Sequence, residues 1–408
     1  MPRDALAAPL VRTAPRGTAV LRNVGHGAND LYWFILPPVL PLILQEFGLR
    51  YTAAGGMIAI FLSMIAVASM LTGRLSDRMH RGRLIGAGFL LASAGVGAAA
   101  LMPVLPLVVG LLVVAGIGVS TYHPAAYASI HDAGHGNGRT YGAFEATGSL
   151  AIVLMLAAQG LLAARMGWRG LIVVGAAPGA LMGLLLLLVP GISIWDRRDQ
   201  PDAAPHAVPF TGRTAPAVQP ASSLLSAVFL VGVMLRVLGV NALQNFIPTY
   251  LVRAVGMNHG IAAFAVGFTF LGGMGGALIM GRVADRRGPF PVFLLSSGLL
   301  VPLLPLLGLR MPAVLYPALL VLIGFCSSAC LPSQNIILGA LSGSRAKGSV
   351  FGVLMGATAL TAAVSPLAFG LIADASGLVT AVRACVIPVA VGWVVILFVQ
   401  RRLSAPRS

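Results

Sequence analysis

Long apolar runs dominate this chain and leave it one solvent in which to fold. Stretches such as Met57–Leu71 and Gly179–Val189 carry no charged residue at all. Ordinary soluble domains are roughly 25% charged; of these 408 residues 58% are hydrophobic and 9% charged. Hydrocarbon accepts that composition, but it requires every backbone amide to be satisfied internally, by helices or by a closed barrel. Barrel strands alternate apolar and polar residues over about ten positions, whereas these runs are longer and continuously apolar. The expected fold is therefore all-α and membrane-integral.

A crossing needs about 20 residues. Runs of that length predict spans at 23–47, 52–73, 83–102, 104–130, 140–164 and 169–190, then at 223–252, 260–281, 290–309, 312–341, 348–373 and 378–400. The expected organisation is an N-terminal tail (1–22), a first six-helix bundle (23–190), a polar linker (191–222), a second bundle (223–400) and a short tail (401–408). Fifty glycines and 27 prolines suit such a bundle, where small residues let helices approach and neighbours repair the bonds that proline breaks. Pro37, Pro38 and Pro41 in the first span and Pro248 in the seventh are expected to bend their helices.

A net charge of +16 raises nucleic acid as a partner, and the position of the charges excludes it. Twenty of the 27 basic residues lie in the tails, the linker and the even-numbered connections, among them Arg74, Arg78, Arg81, Arg83, Arg139, Arg282, Arg286, Arg287, Arg345 and Lys347. The odd connections hold Arg50, Arg165, Arg169, Arg253 and Arg310. Basic loops stay cytoplasmic, so both termini are expected inside. Arginines spread over short loops without interleaved aromatics make no nucleic-acid groove. The three cysteines all sit in apolar spans and form no disulfide framework; Cys326 and Cys330, at i and i+4, read as packing residues rather than a metal pair. The first 22 residues lack the apolar core of a signal peptide.

The chain repeats itself. Gly73-Arg-Leu-Ser-Asp77-Arg78 recurs 208 positions later as Gly281-Arg-Val-Ala-Asp285-Arg286, and Gly116 to Pro124 faces Gly324 to Pro332 at the same offset. Gly160-Leu-Leu-Ala with Gly167 faces Gly370-Leu-Ile-Ala with Gly377 at an offset of 210. Several matches in register point to a duplicated architecture.

On these motifs the chain resembles the major facilitator superfamily over nearly its whole length. The duplicated loop after spans 2 and 8 is similar to that family's inter-helix motif; its second copy ends Arg287-Gly288, whereas the first has His80 at the glycine position. An arginine that many members carry early in span 4 is replaced by Leu112. The resemblance implies twelve transmembrane helices in two pseudo-symmetric six-helix bundles, with spans 1, 4, 7 and 10 around a central cavity. Within the superfamily, His26-Gly-Ala-Asn29-Asp30 and Gly116-Ile-Gly-Val-Ser-Thr-Tyr122-His123-Pro124 resemble the fosmidomycin-resistance family of drug exporters, with Ala125 where that family often has an acidic residue. The resemblance also implies that Asp77 or Asp285, set against the positive N-terminus of a helix in the opposite half, latches the cytoplasmic side, with Gly73, Arg78, Gly281 and Arg286 forming the loop.

Ionisable residues inside spans are costly, about 2.5–3.5 kcal/mol each, and need a partner or a wet cavity. Asp30 and Glu145 are the acidic residues well inside spans, and Arg236 is the basic residue near a span centre. At 1.5 Å per residue, Asp30, Glu145 and His123 share a layer roughly 9–12 Å below the inner surface, and Arg236 lies near midplane. We read Asp30, with Asn29, His26, His123 and Glu145, as a proton site, because burial beside a second carboxylate favours the protonated acid and histidine titrates in the useful range. Arg236 would attract an anionic substrate group or neutralise an acid. Tyr32, Trp33, Phe34, Tyr122, Asn241, Gln244, Asn245, Ser333, Gln334 and Asn335 are candidates for lining the cavity.

Plainer roles stand beside these. Asp30 could brace its helix through Asn29, Glu145 could pair with Arg139, and His123 could satisfy the carbonyl freed by Pro124. The second-half counterparts of Asp30 and His123 are about Asn241 and Leu331, which confines proton chemistry to the first half.

The resulting expectation is a proton-coupled carrier of a small organic solute, exporting a drug-like compound as the subfamily implies, or importing an organic anion by symport. No metal site and no cofactor beyond the proton gradient are expected, and the protein should work as a monomer in the bacterial inner membrane. A sensor or scaffold would call for a larger soluble domain. The chain carries no His-Glu-x-x-His, Gly-x-Ser-x-Gly or ATP-binding Gly-rich loop, so enzymatic or ATP-driven function is not expected.

Overall fold

The structure, a computed structural model, describes residues 16–132, 138–189, 223–341 and 347–404. The expected linker 191–222 lies outside the described residues. Among those described, all regular structure is helical: α1 (Arg16–Trp33), α2 (Leu40–Glu46), α3 (Tyr51–Arg78), α4 (Arg81–Leu101), α5 (Leu105–Val119), α6 (Tyr122–Asp132) and α7 (Gly138–Leu188). The second part of the chain adds α8 (Ser223–Arg253), α9 (His259–Arg287), α10 (Pro289–Leu307), α11 (Leu315–Leu341), α12 (Lys347–Ser376), α13 (Leu378–Ala384) and α14 (Val386–Ser404). Large apolar side chains such as Met70, Leu101, Leu161, Leu188 and Leu224 point outward, a surface that only lipid tolerates.

Eleven of these helical stretches are long and apolar enough to cross a membrane, against the twelve expected. The difference lies in α7, where the expected fifth and sixth spans follow each other with no intervening loop and are divided only by a kink at Gly167. Its apolar stretch, Gly142–Leu188, has 47 residues, about 70 Å at 1.5 Å per residue and twice a bilayer core. At its middle Gly167 adopts φ 57 and ψ −178, a conformation essentially reserved to glycine. Its repeat mate Gly377 has φ 85 and ψ 159 and does end α12 before α13. Gly167→Ala should therefore cost about 1–3 kcal/mol, seen as a lowered midpoint in thermal unfolding of the purified protein; an unchanged midpoint would show that the bend carries no strain.

Helix breaks follow proline where neighbours allow it. Pro37–Val39 forms a short 3₁₀ turn between α1 and α2, as the proline cluster predicts. At Pro248 α8 continues without a break, running on to Arg253. The expected span 4 is interrupted after Val119. Pro124 offers no N–H to the carbonyl of Ser120, four residues back, and that oxygen is taken by the Thr72 hydroxyl of α3 at 2.9 Å.

The N-terminal boundary needs correction. Among the described residues the first helix is already formed at Arg16, ahead of the expected 23, and Arg22, assigned to a tail by its charge, is 2% exposed. Its guanidinium reaches Ser129 of α6 at 3.5 Å, and its carbonyl accepts the Tyr122 hydroxyl.

The sequence repeat reappears as repeated contacts. Gly116 of α5 faces the carbonyl of Phe61, and Gly324 of α11 faces that of Thr269, each pair displaced by the same 208 positions. Gly73 sits on Pro124, and Gly281 on Pro332, in the same relation. Contacts also cross between the copies: Gly160 of α7 meets the backbone of Gly260 on α9, and Gly370 of α12 meets that of Tyr51 and Thr52 on α3. At Gly288 the turn into α10 uses φ 90. His80 holds the matching place before α4 with φ −64 and ψ 119, so the two loop copies turn differently.

A buried polar cluster between α1, α6 and α7

His26 and Asp30 stand one turn apart on α1, and α6 delivers His123 to the same point. Oδ1 of Asp30 lies 3.5 Å from Nε2 of His26 and 3.6 Å from Nε2 of His123. The other ring nitrogen of His26 is 2.8 Å from the carbonyl of Phe144 on α7. A carbonyl only accepts, so Nδ1 carries the hydrogen, and in the neutral ring Nε2 turns a lone pair toward Asp30. Two acceptors then face each other unless a proton sits on Asp30 or on the imidazole. A proton at the point where the three side chains meet would turn this opposition into a donor–acceptor contact. The three ligand atoms lie within 4.8 Å of one another, a spacing open to a small cation as well, where no metal site was expected.

Aromatic rings fix this geometry. His26 stacks on Phe144 with centroids 3.7 Å apart and meets His123 edge-on at 5.2 Å. Trp33 and Tyr127 close on His123 from other sides, at 5.7 and 5.9 Å. His26 is 1% exposed, whereas Asp30 and His123 keep 19% and 25% of their side-chain surface open. Two of the three groups are therefore partly open while the third is enclosed.

Glu145 accepts the Tyr127 hydroxyl at 2.9 Å and is near enough to His26 and Asp30 to interact electrostatically. Its alternative partner Arg139 has a side chain outside those described. Asn29 is a brace, its amide donating to the Val119 carbonyl at 3.1 Å. Tyr122 is buried and donates to the Arg22 carbonyl. The freed Ser120 carbonyl belongs to Thr72, so His123 has no such capping duty.

The second copy presents a separate polar set. Arg236 of α8 is 3% exposed, donates to Gln334 of α11 at 3.2 Å and lies over the Phe293 ring at 5.8 Å. Among the described residues it pairs with no carboxylate. The Asn241 side-chain oxygen accepts from Ser365 and from Asn245, both at 3.0 Å. Gln244 is half-buried. The side chains of Asn335 and Asp77 lie outside those described. Asp285, Arg78 and Arg286 are exposed at helix ends, and Gly73 and Gly281 pack on prolines. Of the cavity candidates, Tyr32 is an interior strut, bonded to Ser93 at 2.6 Å and to the Ala176 carbonyl at 3.1 Å.

Sequence reasoning missed Tyr127, Phe144 and Gly148. Tyr127 carried a signal, lying one turn beyond His123. Phe144 acts through its carbonyl, which any residue supplies. Gly148 is a notch: a side chain there would overlap Oδ2 of Asp30.

Comparison with known proteins adds identity to this geometry. The family model described as Major Facilitator Superfamily matches residues 24–319 and 229–408. A curated relative from Bacillus subtilis (strain 168), "Uncharacterized MFS-type transporter YceJ", is 28% identical over 274 residues. That match spans 66% of each chain, just under two thirds of the relative's length. Solved structures share the fold at low identity. A bacterial homologue of the human lysosomal transporter Spinster, inward-facing and occupied, gives a TM-score of 0.77 at 14% identity over 96% of this chain and 98% of its own. A D-xylose–proton symporter gives 0.74 at 16% over 94% and 97%, and the nucleoside transporter NupG 0.70 at 13% over 95% and 100%.

Proposed function

Because the chain belongs to the major facilitator superfamily, we propose that it is a secondary transporter coupling movement of a small organic solute to protons. One observation carries the coupling: a single carboxylate oxygen lies between two imidazole nitrogens at 3.5 and 3.6 Å. Two opposed acceptors need a proton, and the partial exposure of Asp30 and His123 gives that proton a route out. Alternating access of two related halves around a central site would convert its binding and release into transport.

Several finer statements belong to the same reading. We take α7 to cross the membrane twice, around Gly167, giving twelve crossings in two six-helix bundles, the first beginning by Arg16 and ending near 190 and the second spanning 223–400, with 191–222 joining them. The arginine distribution supports cytoplasmic termini, and a bacterial inner membrane and a working monomer fit that topology. The His26–Asp30 and Tyr122–His123–Pro124 stretches, resembling the fosmidomycin-resistance family, favour export of a drug-like compound by proton antiport. A second reading, symport of a small organic anion, draws on Arg236, a buried cation with no carboxylate partner among the described residues. Under that reading Gln334, Asn241, Gln244 and Asn335 would help to hold the substrate.

The test is transport into proteoliposomes carrying an entrapped pH-sensitive dye, with a panel of drugs and organic anions. Under an imposed pH difference one class of solute should move together with protons. The sign of the dye response separates antiport from symport. Solute flux that is indifferent to the gradient and moves no protons would overturn the coupling.

A further inference from the structure

Asp374 ends α12 in the second copy, yet both its oxygens are used by the first. Oδ1 accepts the backbone N–H of Tyr51 and Oδ2 that of Thr52, each at 2.9 Å. These are the opening amides of α3, and Arg50, just before them, adds its Nε at 3.4 Å. A helix start leaves its first N–H groups without intrahelical partners and favours a carboxylate there. The residue at the N-cap of α3 is Arg50, in extended backbone with no side-chain cap of its own.

The internal repeat shows what is unusual here. Position 50 corresponds to 258 at the offset of 208, and Asn258 caps α9 with its own side chain, accepting from Gly260 at 2.9 Å. Position 374 corresponds to 164 at the offset of 210, and Ala164 can cap nothing. The two cross-copy junctions therefore share their glycine contacts, Gly370 on Tyr51 and Thr52 and Gly160 on Gly260, but differ in capping. One helix caps itself whatever its partner does. The other is capped only while the two copies touch on this face, the one reached by the starts of α3 and α9.

We propose that Asp374 is a gating residue, a cap supplied in trans that holds this face closed and is surrendered each time the face opens. Opening strips two amides of their acceptor and a carboxylate of its donors, so the closed state gains at one junction what the other lacks. The idea reaches beyond proton coupling and rests only on alternating access. It uses the chemistry expected of Asp77 and Asp285, at the opposite end of the helices.

Spin labels at Gln45 and Val314, exposed positions on this face in the first and second copies, would read the gap by dipolar distance measurement. Cys326, Cys330 and Cys385 would first be replaced by alanine. The expected result is a short and a long distance, with Asp374→Ala shifting their ratio about tenfold toward the long one, the size of a lost N-cap. Asn258→Ala removes equivalent capping without crossing between copies and should leave the ratio unchanged. Arg50→Ser, which gives α3 a cap of its own, should shrink the effect of Asp374→Ala. Two populations whose ratio ignores Asp374→Ala, or moves equally with Asn258→Ala, would overturn the proposal. A single distance in every variant would instead overturn alternating access at these ends, and the gate with it.

Discussion

Asp30→Asn should leave a carrier that exchanges substrate across a vesicle membrane but no longer concentrates it against a proton gradient. Asparagine keeps the shape of the carboxylate and offers an N–H to one of the two imidazoles, so the cluster between α1, α6 and α7 stays assembled. What it removes is a group able to take up and release a proton where Asp30 meets both His26 and His123. Hydrogen bonding to the Phe144 carbonyl fixes the hydrogen on Nδ1 of His26, so that ring cannot relay a proton by switching tautomers. For one proton per substrate, a difference of one pH unit is worth about 1.4 kcal/mol, a tenfold accumulation. In the variant that ratio should fall to about one, while counterflow of labelled substrate between equal pH values changes only a few-fold. Accumulation that survives in Asp30→Asn, with the same proton movement per substrate, would place the coupling elsewhere. Loss of counterflow and accumulation together would mark Asp30 as structural, and His123→Asn, which leaves the His26–Asp30 pair in place, would then test the cluster a second time.

The membrane character and the repeat were legible because they are written in composition and spacing. A run of 20 apolar residues has one fate in lipid, and a motif recurring at 208 positions has one simple cause. Depth along a helix was legible too. Counting residues from span ends put Asp30, Glu145 and His123 in one layer, and Asp30 does meet His123 at 3.6 Å and His26 at 3.5 Å. Depth says nothing about azimuth, however, so the same count could not foresee that Asn29 would turn away to brace Val119 or that Tyr32 would bind Ser93. Contacts made by backbone left no trace in residue type: the Phe144 carbonyl, the notch at Gly148 and the amides of Tyr51 and Thr52 were invisible. Asp374 is hidden in the sequence for another reason. An acidic residue at a span end is ordinary, and only its partners on α3 give it meaning. Arg22 misled in the opposite direction, since its charge suggested a tail while its side chain reaches a hydroxyl on α6.

The largest effect on folding should come from Gly324→Val. Lipid tails are as apolar as the side chains they meet, so helices in this solvent are held by close packing and not by escape from water. Gly324 is where α11 lies directly on α9: a Cβ there would overlap the carbonyl of Thr269, while Cβ atoms at Gly272 and Gly276 would overlap the carbonyls of Val321 and Phe325. Backbone cannot rotate aside as a side chain does, so valine must push the two helices apart and forfeit contacts along both. A destabilisation of about 3 kcal/mol, at the upper end of ordinary overpacking, is expected. The repeat supplies its own graded controls. The matching Gly116 has 3.2 Å to the Phe61 carbonyl and to the Met64 Cβ, room for a partial adjustment, so Gly116→Val should cost less. Gly110 on α5 meets nothing within 4 Å, and Gly110→Val should fall within about 0.5 kcal/mol of the parent. The buried thiols Cys326, Cys330 and Cys385 report unfolding directly, by reaction with a fluorogenic maleimide as the detergent-solubilised protein is heated. Ranking the three variants by midpoint should give 324 lowest, then 116, then 110. Equal midpoints would mean that the close approach of α9 and α11 contributes nothing to holding the second copy together.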